Sequence, residues 1–303
     1  MRPSLRQLRA FVAVVEEGSF TAAAVREGAT QSGVSQHMKA LETQLGVRLL
    51  DRDGRRMAAT AAGLRYYEEC VAALRRLDAA GAGLAAIERM GGSVRVGLMP
   101  TFTRAILAPA LAAFLESSGG VEVTILEAYS GVLTDKVRAG ELDFAIVPSF
   151  AVSSGLHARR IATNREMLVA RAGRTGKHLA PVKLADYGPI DIVLPGPLNT
   201  RRQSIETYLA SNGVDVRRRL ALDAMIGTLE FVAGSDWVAI LPAVLAAPDR
   251  DGARFEIRPL DDPPLRSDFV LIEPSRSVLK PAAKLFADLL TREALRVSAL
   301  MPG

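Results

Sequence analysis

Gly18-Ser-Phe-Thr-Ala-Ala-Ala-Val-Arg-Glu-Gly-Ala-Thr-Gln-Ser-Gly-Val-Ser-Gln-His-Met38 reads as two short helices joined by a tight turn. Ser19 is placed to cap the first helix, and Ala22, Ala23 and Ala24 keep it slim enough for another helix to cross closely. Gly28 stands where the chain must leave that helix, and Thr30 caps the next. Val34, Met38, Leu41 and Leu45 recur at helical intervals and are expected to face a core. Gln31, Ser32, Ser35, Gln36 and Lys39 fall on the other face, where they can hydrogen-bond base edges or phosphates. The arrangement is a helix-turn-helix and points to DNA.

A polar outer face is common to amphipathic helix pairs, and most such faces meet only water. Residues 45–56 favour the nucleic-acid reading. Leu45-Gly-Val-Arg-Leu-Leu50 ends the helix at a glycine and re-enters extended structure. Asp51-Arg-Asp-Gly-Arg-Arg56 then reads as a basic hairpin with Asp-Gly at its tip. Beside a recognition helix it suits a wing along the phosphate backbone, with Arg52, Arg55 and Arg56 neutralising charge.

Residues 4–63 resemble the N-terminal domain of the LysR-type transcriptional regulators. The resemblance is carried by Leu5-Arg-Gln-Leu-Arg-Ala-Phe11, Gly18-Ser-Phe-Thr-Ala-Ala-Ala24, Thr30-Gln-Ser-Gly-Val-Ser35, Leu41-Glu42, Leu45-Gly-Val-Arg-Leu-Leu-Asp-Arg52 and Thr60-Ala-Ala-Gly63. Carried over by position, it implies base reading by Gln31, Ser32, Ser35 and Gln36, and wing contacts from Arg52 and its neighbours. Ser32 stands where the family often has proline and Gln36 where it often has arginine, which implies different preferred bases. His37 lies in the same helix and is expected to touch DNA or water.

Composition agrees. A chain of 303 residues suggests two or three domains, and 49% hydrophobic residues suffices for buried cores. The net charge of +5 is modest, but residues 1–60 hold nine Lys/Arg against six Asp/Glu. The single cysteine, Cys70, rules out an internal disulfide and fits a reducing compartment. The chain opens on no basic-then-apolar signal, and no apolar run approaches ~18 residues. A cytoplasmic protein with no membrane partner is expected.

No proline occurs between Pro3 and Pro100, consistent with a mostly helical first third. Residues 61–90 read as one long helix capped by Thr60, with Leu64, Tyr67, Val71, Leu74, Leu77, Leu84 and Ile87 three, four or seven apart as an apolar stripe. Such a helix extends roughly 40 Å, and Gly81 and Gly83 weaken it. The resemblance supplies the stripe with a partner, the same helix of a second subunit, which brings two recognition helices onto one operator. Packing against its own domain is the alternative.

From Ser93 the rhythm changes. Strand patterns at Val94–Leu98, Val121–Leu126 and Leu142–Val147 alternate with helical spacing at Ile106–Leu115 and Val132–Arg138. That alternation implies a sheet with parallel pairs and helices on its faces. Gly140-Glu-Leu-Asp-Phe-Ala-Ile-Val147 resembles the effector domain of the same family, which has two lobes like a periplasmic binding protein. The implied fold is therefore α/β with an N-terminal all-α winged helix-turn-helix. Its divisions are a DNA-binding domain at 1–60, a linker helix at 61–91 and an effector domain at 92–303. Lobe I would cover about 92–163 and 268–303, and lobe II about 164–267, with strands at Ile190–Leu194 and Trp237–Pro242 and a helix over Arg201–Asn212.

Lobes of this kind meet at a cleft where helices begin, and free N–H groups there attract anions. Pro100-Thr-Phe-Thr-Arg104, Tyr129-Ser130 and Gly196-Pro-Leu-Asn-Thr-Arg201 are the strand-to-helix junctions. Thr101, Thr103, Ser130, Thr200, Arg201 and, less directly, Thr228 are the candidate effector contacts, and a small carboxylate is the expected ligand. Simple helix capping accounts for each hydroxyl about as well. Gly173-Arg-Thr-Gly-Lys-His178 lacks phosphate-loop spacing, with His178 in place of the required Ser or Thr. No Gly-x-Ser-x-Gly elbow occurs, and His37, His157 and His178 form no metal-ligand spacing with Cys70. No catalytic residue, metal or cofactor is expected. The implied partners are double-stranded promoter DNA, a small-molecule effector, RNA polymerase and further copies of the chain as a homodimer or homotetramer. A solute-binding or small-molecule enzyme domain with a helical assembly module is the competing reading, and it gives the wing arginines no purpose.

Overall fold

A computed structural model describes residues 3–51, 57–85, 92–149, 155–197, 199–275 and 277–301. They form two compact units: 1–88 with the short segments 152–157 and 274–278, and 89–151 with 158–273 and 279–303.

In the first unit, α1 (Leu5–Glu17) begins in a reciprocal capping box, in which Ser4 and Gln7 exchange side-chain-to-backbone hydrogen bonds. Gly18 closes it in the left-handed conformation, φ 60°. Ser19 caps α2 (Phe20–Arg26) and Thr30 caps α3 (Gln31–Leu45), each through its side-chain oxygen. A two-stranded hairpin, β1 (Leu50–Asp51) with β2 (Ala58–Ala59), comes next and leads into α4 (Ala61–Ala85). Phe11, Val14, Ala23, Val34, Met38, Leu41, Leu49 and Leu74 share one core. Leu45, expected in that core, is exposed, because the helix ends there against Gly46.

The stripe on α4 divides. Leu74 and Cys70 are buried in the unit's own core, with Tyr67 and Val71 packed beside them. Leu64 and Leu77 are 52% and 47% exposed. The side chain of Leu84, and Ile87 altogether, lie outside the described residues. The helix runs through Gly81 and Gly83 without interruption. Its start presses on the hairpin: a Cβ at Gly63 would lie 2.0 Å from the Leu49 carbonyl oxygen, so only glycine fits.

Glu16 gathers the rest of this unit. Its carboxylate accepts from the Tyr67 hydroxyl at 2.7 Å and the Ser275 hydroxyl at 2.5 Å, and it pairs with Arg26. Burial pushes the Tyr67 phenol up to about 12, with the neighbouring Glu16 charge acting in the same direction.

The second unit is a nine-stranded sheet flanked by helices. In chain order come β3 (Ser93–Leu98), a helical turn α5 (Pro100–Phe102), a π-helical turn (Thr103–Leu107), α6 (Ala108–Ser117), β4 (Glu122–Glu127), α7 (Ser130–Arg138) and β5 (Phe144–Pro148). After them come β6 (Leu156–Arg171), β7 (Ile190–Leu194), α8 (Thr200–Ser211), β8 (Val216–Ala221), α9 (Met225–Ala233), β9 (Val238–Pro242), α10 (Ala243–Ala246), β10 (Phe255–Pro259), β11 (Arg266–Pro274) and α11 (Pro281–Ser298).

The strand order is β4-β3-β5-β11-β6-β9-β7-β8, with β10 pairing β6. Strand β3 pairs β4 and β5 in parallel, and β7 pairs β8 and β9 in parallel. Each half is thus a pair of strand–helix–strand crossovers, and the antiparallel β11 and the long β6 join them. Strands β5, β7 and β9 are buried throughout, as apolar runs covered on both faces must be. This is the two-lobed α/β arrangement expected from the sequence. No helix among the described residues is long and apolar enough to cross a membrane.

Candidate nucleic-acid interface and effector cleft

Helix α3 presents a polar arc. At about 100° per residue, Gln31, Ser35, Lys39, Ser32 and Gln36 lie within roughly 140° of one another. Gln31, Ser32, Gln36 and Lys39 are exposed and Ser35 half-buried, while Val34, Met38 and Leu41 fill the opposite side. His37 lies outside that arc, half-buried on the flank of the apolar side. The Ser32 hydroxyl rests 3.2 Å from the Thr30 hydroxyl, within the cap.

Glu42, a residue the sequence reading matched without giving it a task, ties the hairpin to this helix. Its Oε1 accepts from the Leu49 N–H at 2.8 Å and the Leu50 N–H at 3.1 Å. Helix α3 and the start of β1 therefore hold a fixed relation. Arg52, Arg55 and Arg56 lie outside the described residues.

In the second unit, a cavity of about 820 Å³ opens between the first turns of α7 and α9 and the turn at Pro100. Its polar lining is Thr103, Arg104, Glu127, Tyr129 and Asp223. A narrow pocket of about 30 Å³ shares Tyr129, Asp223 and Met225 with it, and Arg201 and Thr228 line that pocket. Of the expected contacts, Thr103 thus reaches the larger space and Arg201 and Thr228 the smaller. Thr101 and Ser130 are buried and line neither, and the Thr200 side chain lies outside what is described.

Arg201 is not an open cation. Its Nε donates to Glu166 Oε1 at 3.2 Å and its Nη2 to Glu166 Oε2 at 2.6 Å, and Nη2 also reaches the Ile240 carbonyl at 3.2 Å. Both side chains are almost fully buried, at 5% and 1% exposure, and Ser267 completes the carboxylate at 2.6 Å. A buried guanidinium fixed bidentately is held by its geometry and has little freedom to turn to a ligand.

Arg104 is likewise engaged, donating to the Leu245 carbonyl and to Asp249 Oδ2, both at 2.6 Å. Asp223 Oδ1 accepts from the Gly196 N–H at 2.7 Å. That approach needs the glycine, because a Cβ there would lie 1.8 Å from Asp223 Oδ2. Thr103 hydrogen-bonds the Glu127 carboxylate. Burial raises the Tyr129 phenol above its ordinary range, and the Asp223 and Glu127 charges add to the rise.

The loop that failed as a phosphate loop is satisfied internally. The N–H groups of Thr175 and Gly176 donate to Glu256 Oε2 at 2.7 and 2.9 Å. His178 accepts from the Ile257 N–H at 3.1 Å and meets the Arg250 carbonyl at 2.9 Å. A protein carboxylate fills the position a phosphate would take.

A helix-turn-helix with an exposed polar arc, joined in one chain to a two-lobed α/β unit with an open cavity, defines a DNA-binding protein with a ligand-binding module. Residues 5–64 match the bacterial regulatory helix-turn-helix of the LysR family, and residues 88–295 match the LysR substrate-binding domain. The chain belongs to the LysR family of transcriptional regulators. A probable hydrogen peroxide-inducible genes activator of Mycobacterium xenopi is 36% identical over 183 residues, 59% of this chain and 97% of the relative. The transcriptional regulator IlvR of Caulobacter vibrioides is 30% identical over 267 residues, 86% of this chain and 89% of the relative. Among solved structures, the LysR family regulator CbnR aligns with TM-score 0.55 at 25% identity, over 95% of this chain and 99% of that one.

Proposed function

We propose that this regulator reads an operator with the arc Gln31, Ser32, Ser35, Gln36 and Lys39 while Arg52, Arg55 and Arg56 neutralise flanking phosphates. The exposed arc on α3, fixed to the hairpin through Glu42, carries this reading. A small effector occupies the 820 Å³ cavity and shifts the balance between two arrangements of the chain by binding one more tightly. The output passes to promoter DNA and RNA polymerase from a homodimer or homotetramer in the cytoplasm. Since Leu74 belongs to the core of its own unit, subunit pairing along α4 would draw on exposed positions such as Leu64 and Leu77.

The name of the mycobacterial relative raises a second reading, a response to hydrogen peroxide. Cys70 is the chain's one cysteine and is buried, and burial pushes its thiol up to about 11. Such a thiol stays protonated near neutral pH and is a poor nucleophile towards peroxide, so the physical chemistry favours a bound effector.

The test is selection of duplexes from a random pool by the full chain. The expected result is an enriched motif with two related half-sites, since two subunits present two reading helices. Retention of DNA with no enriched motif would overturn the assignment of base reading to α3.

A further inference from the structure

We propose that the cavity takes a cationic effector, an ammonium or guanidinium group carried on an apolar body, rather than a carboxylate. This rests on reading the cavity as the effector site. The charges around it decide the sign. Arg104 is matched by Asp249, and Arg201 in the adjoining pocket is matched by Glu166. Glu127 and Asp223 both line the cavity, and neither has an ion-pair partner among the described residues. That leaves two formal negative charges facing one space.

The first turns of α7 and α9 also line it and oppose those charges, each contributing about half a positive charge. Two half-charges leave the site negative. Tyr129 lines the same cavity as both carboxylates, and burial first, then the Asp223 and Glu127 charges, raise its phenol. It offers a neutral hydroxyl beside them. An anionic ligand would meet two carboxylates and no unmatched cation. A cationic one would gain charge-assisted hydrogen bonds to the two exposed carboxylates at the cavity mouth. Pro100, Val132, Met225 and Leu229 supply apolar wall for the rest of the molecule.

Size-matched probes test this on the full chain: butylamine with butyrate, hexylamine with hexanoate, and 2-phenylethylamine with phenylacetate, each by thermal shift and calorimetry. At least one amine should bind saturably, about tenfold or more tighter than its acid partner. Glu127→Gln and Asp223→Asn, which remove charge at nearly constant shape, should each weaken that amine about tenfold without weakening the acid. Because Asp223 also holds the Gly196 N–H, Glu127→Gln is the cleaner variant. Acids binding where amines do not would overturn the charge assignment and leave the effector cleft standing. Silence of all the probes would count against both. Amine binding untouched by both substitutions would place the amine elsewhere and overturn the proposal.

Discussion

Gln31, Gln36 and Lys39 stand out from α3 into solvent, while the side chains that hold that helix in place lie on its other face. In the second unit the polar side chains nearest the cavity are occupied: Arg201 by Glu166, Arg104 by Asp249, Thr103 by Glu127. The first arrangement leaves its polar side chains on a surface that a helical wheel reveals. The second uses the most eye-catching side chain, an arginine at a helix start, to hold strands together, while the less conspicuous Glu127 and Asp223 line the cavity without an ion-pair partner among the described residues. Substitutions in the two regions should therefore fail in different ways: loss of recognition in the first, loss of stability in the second.

The largest effect is expected at the Glu166–Arg201 pair. Glu166→Ala strands a buried guanidinium and should cost the second unit about 3–5 kcal/mol. Trp237, the chain's one tryptophan, lies in that unit and reports its unfolding by fluorescence in a urea titration. Replacing both partners with apolar residues of similar volume should restore most of the loss. A Glu166→Ala curve within about 0.5 kcal/mol of wild type, the level of an ordinary surface change, would show that Arg201 finds water or another acceptor and is open to ligands after all.

Gln36→Ala should act on recognition alone. Operator affinity should fall by about 1–3 kcal/mol, with preference flattened at one base pair of each half-site. The Trp237 unfolding curve should stay within about 0.5 kcal/mol of wild type. A gel-shift series over operator variants measures the first, and unchanged specificity would make the arc a solvated face.

The smallest effect is expected at Asp191, where a buried carboxylate meets Arg217 and Arg218 at 2.8 and 2.7 Å. The hydrogen bond from Arg218 leads in holding its carboxyl below the usual range, against the opposing effect of burial and with Arg217 assisting. A depressed folded-state value stabilises above the unfolded value of about 4 and loses that contribution as pH falls through the folded one. Both arginines are more than half exposed, at 57% and 66%, so solvent screens the pairs. Asp191→Asn should slightly lower stability at neutral pH and flatten its decline in acid. Parallel wild-type and variant pH–stability curves would leave Asp191 with no role in acid unfolding.

Local rules found the first unit. Ser19, Thr30 and Gly28 act where their chemistry places them, and Val34, Met38 and Leu41 are buried at the spacing that predicts it. Errors there came from partners that periodicity cannot name: Leu45 loses its core at the helix end, and Leu74 finds one in its own unit. Glu42 went unassigned because its task is to accept N–H groups seven and eight residues away. In the second unit the alternation of strands and helices was legible, yet the site was not. A lone acid at the head of the apolar run Glu166-Met-Leu-Val-Ala170 was the available signal for a buried partner.

The sequence by itself determined the family, the helix-turn-helix and its exposed polar face, and the α/β character of the rest, because caps, turns and periodicity act within a few residues. Tertiary structure alone decided that Arg201 belongs to Glu166, 35 residues away, and that Glu127 and Asp223, nearly a hundred positions apart, face one cavity. The sign of a site's charge depends on which ions pair, and pairing is a matter of distance in space.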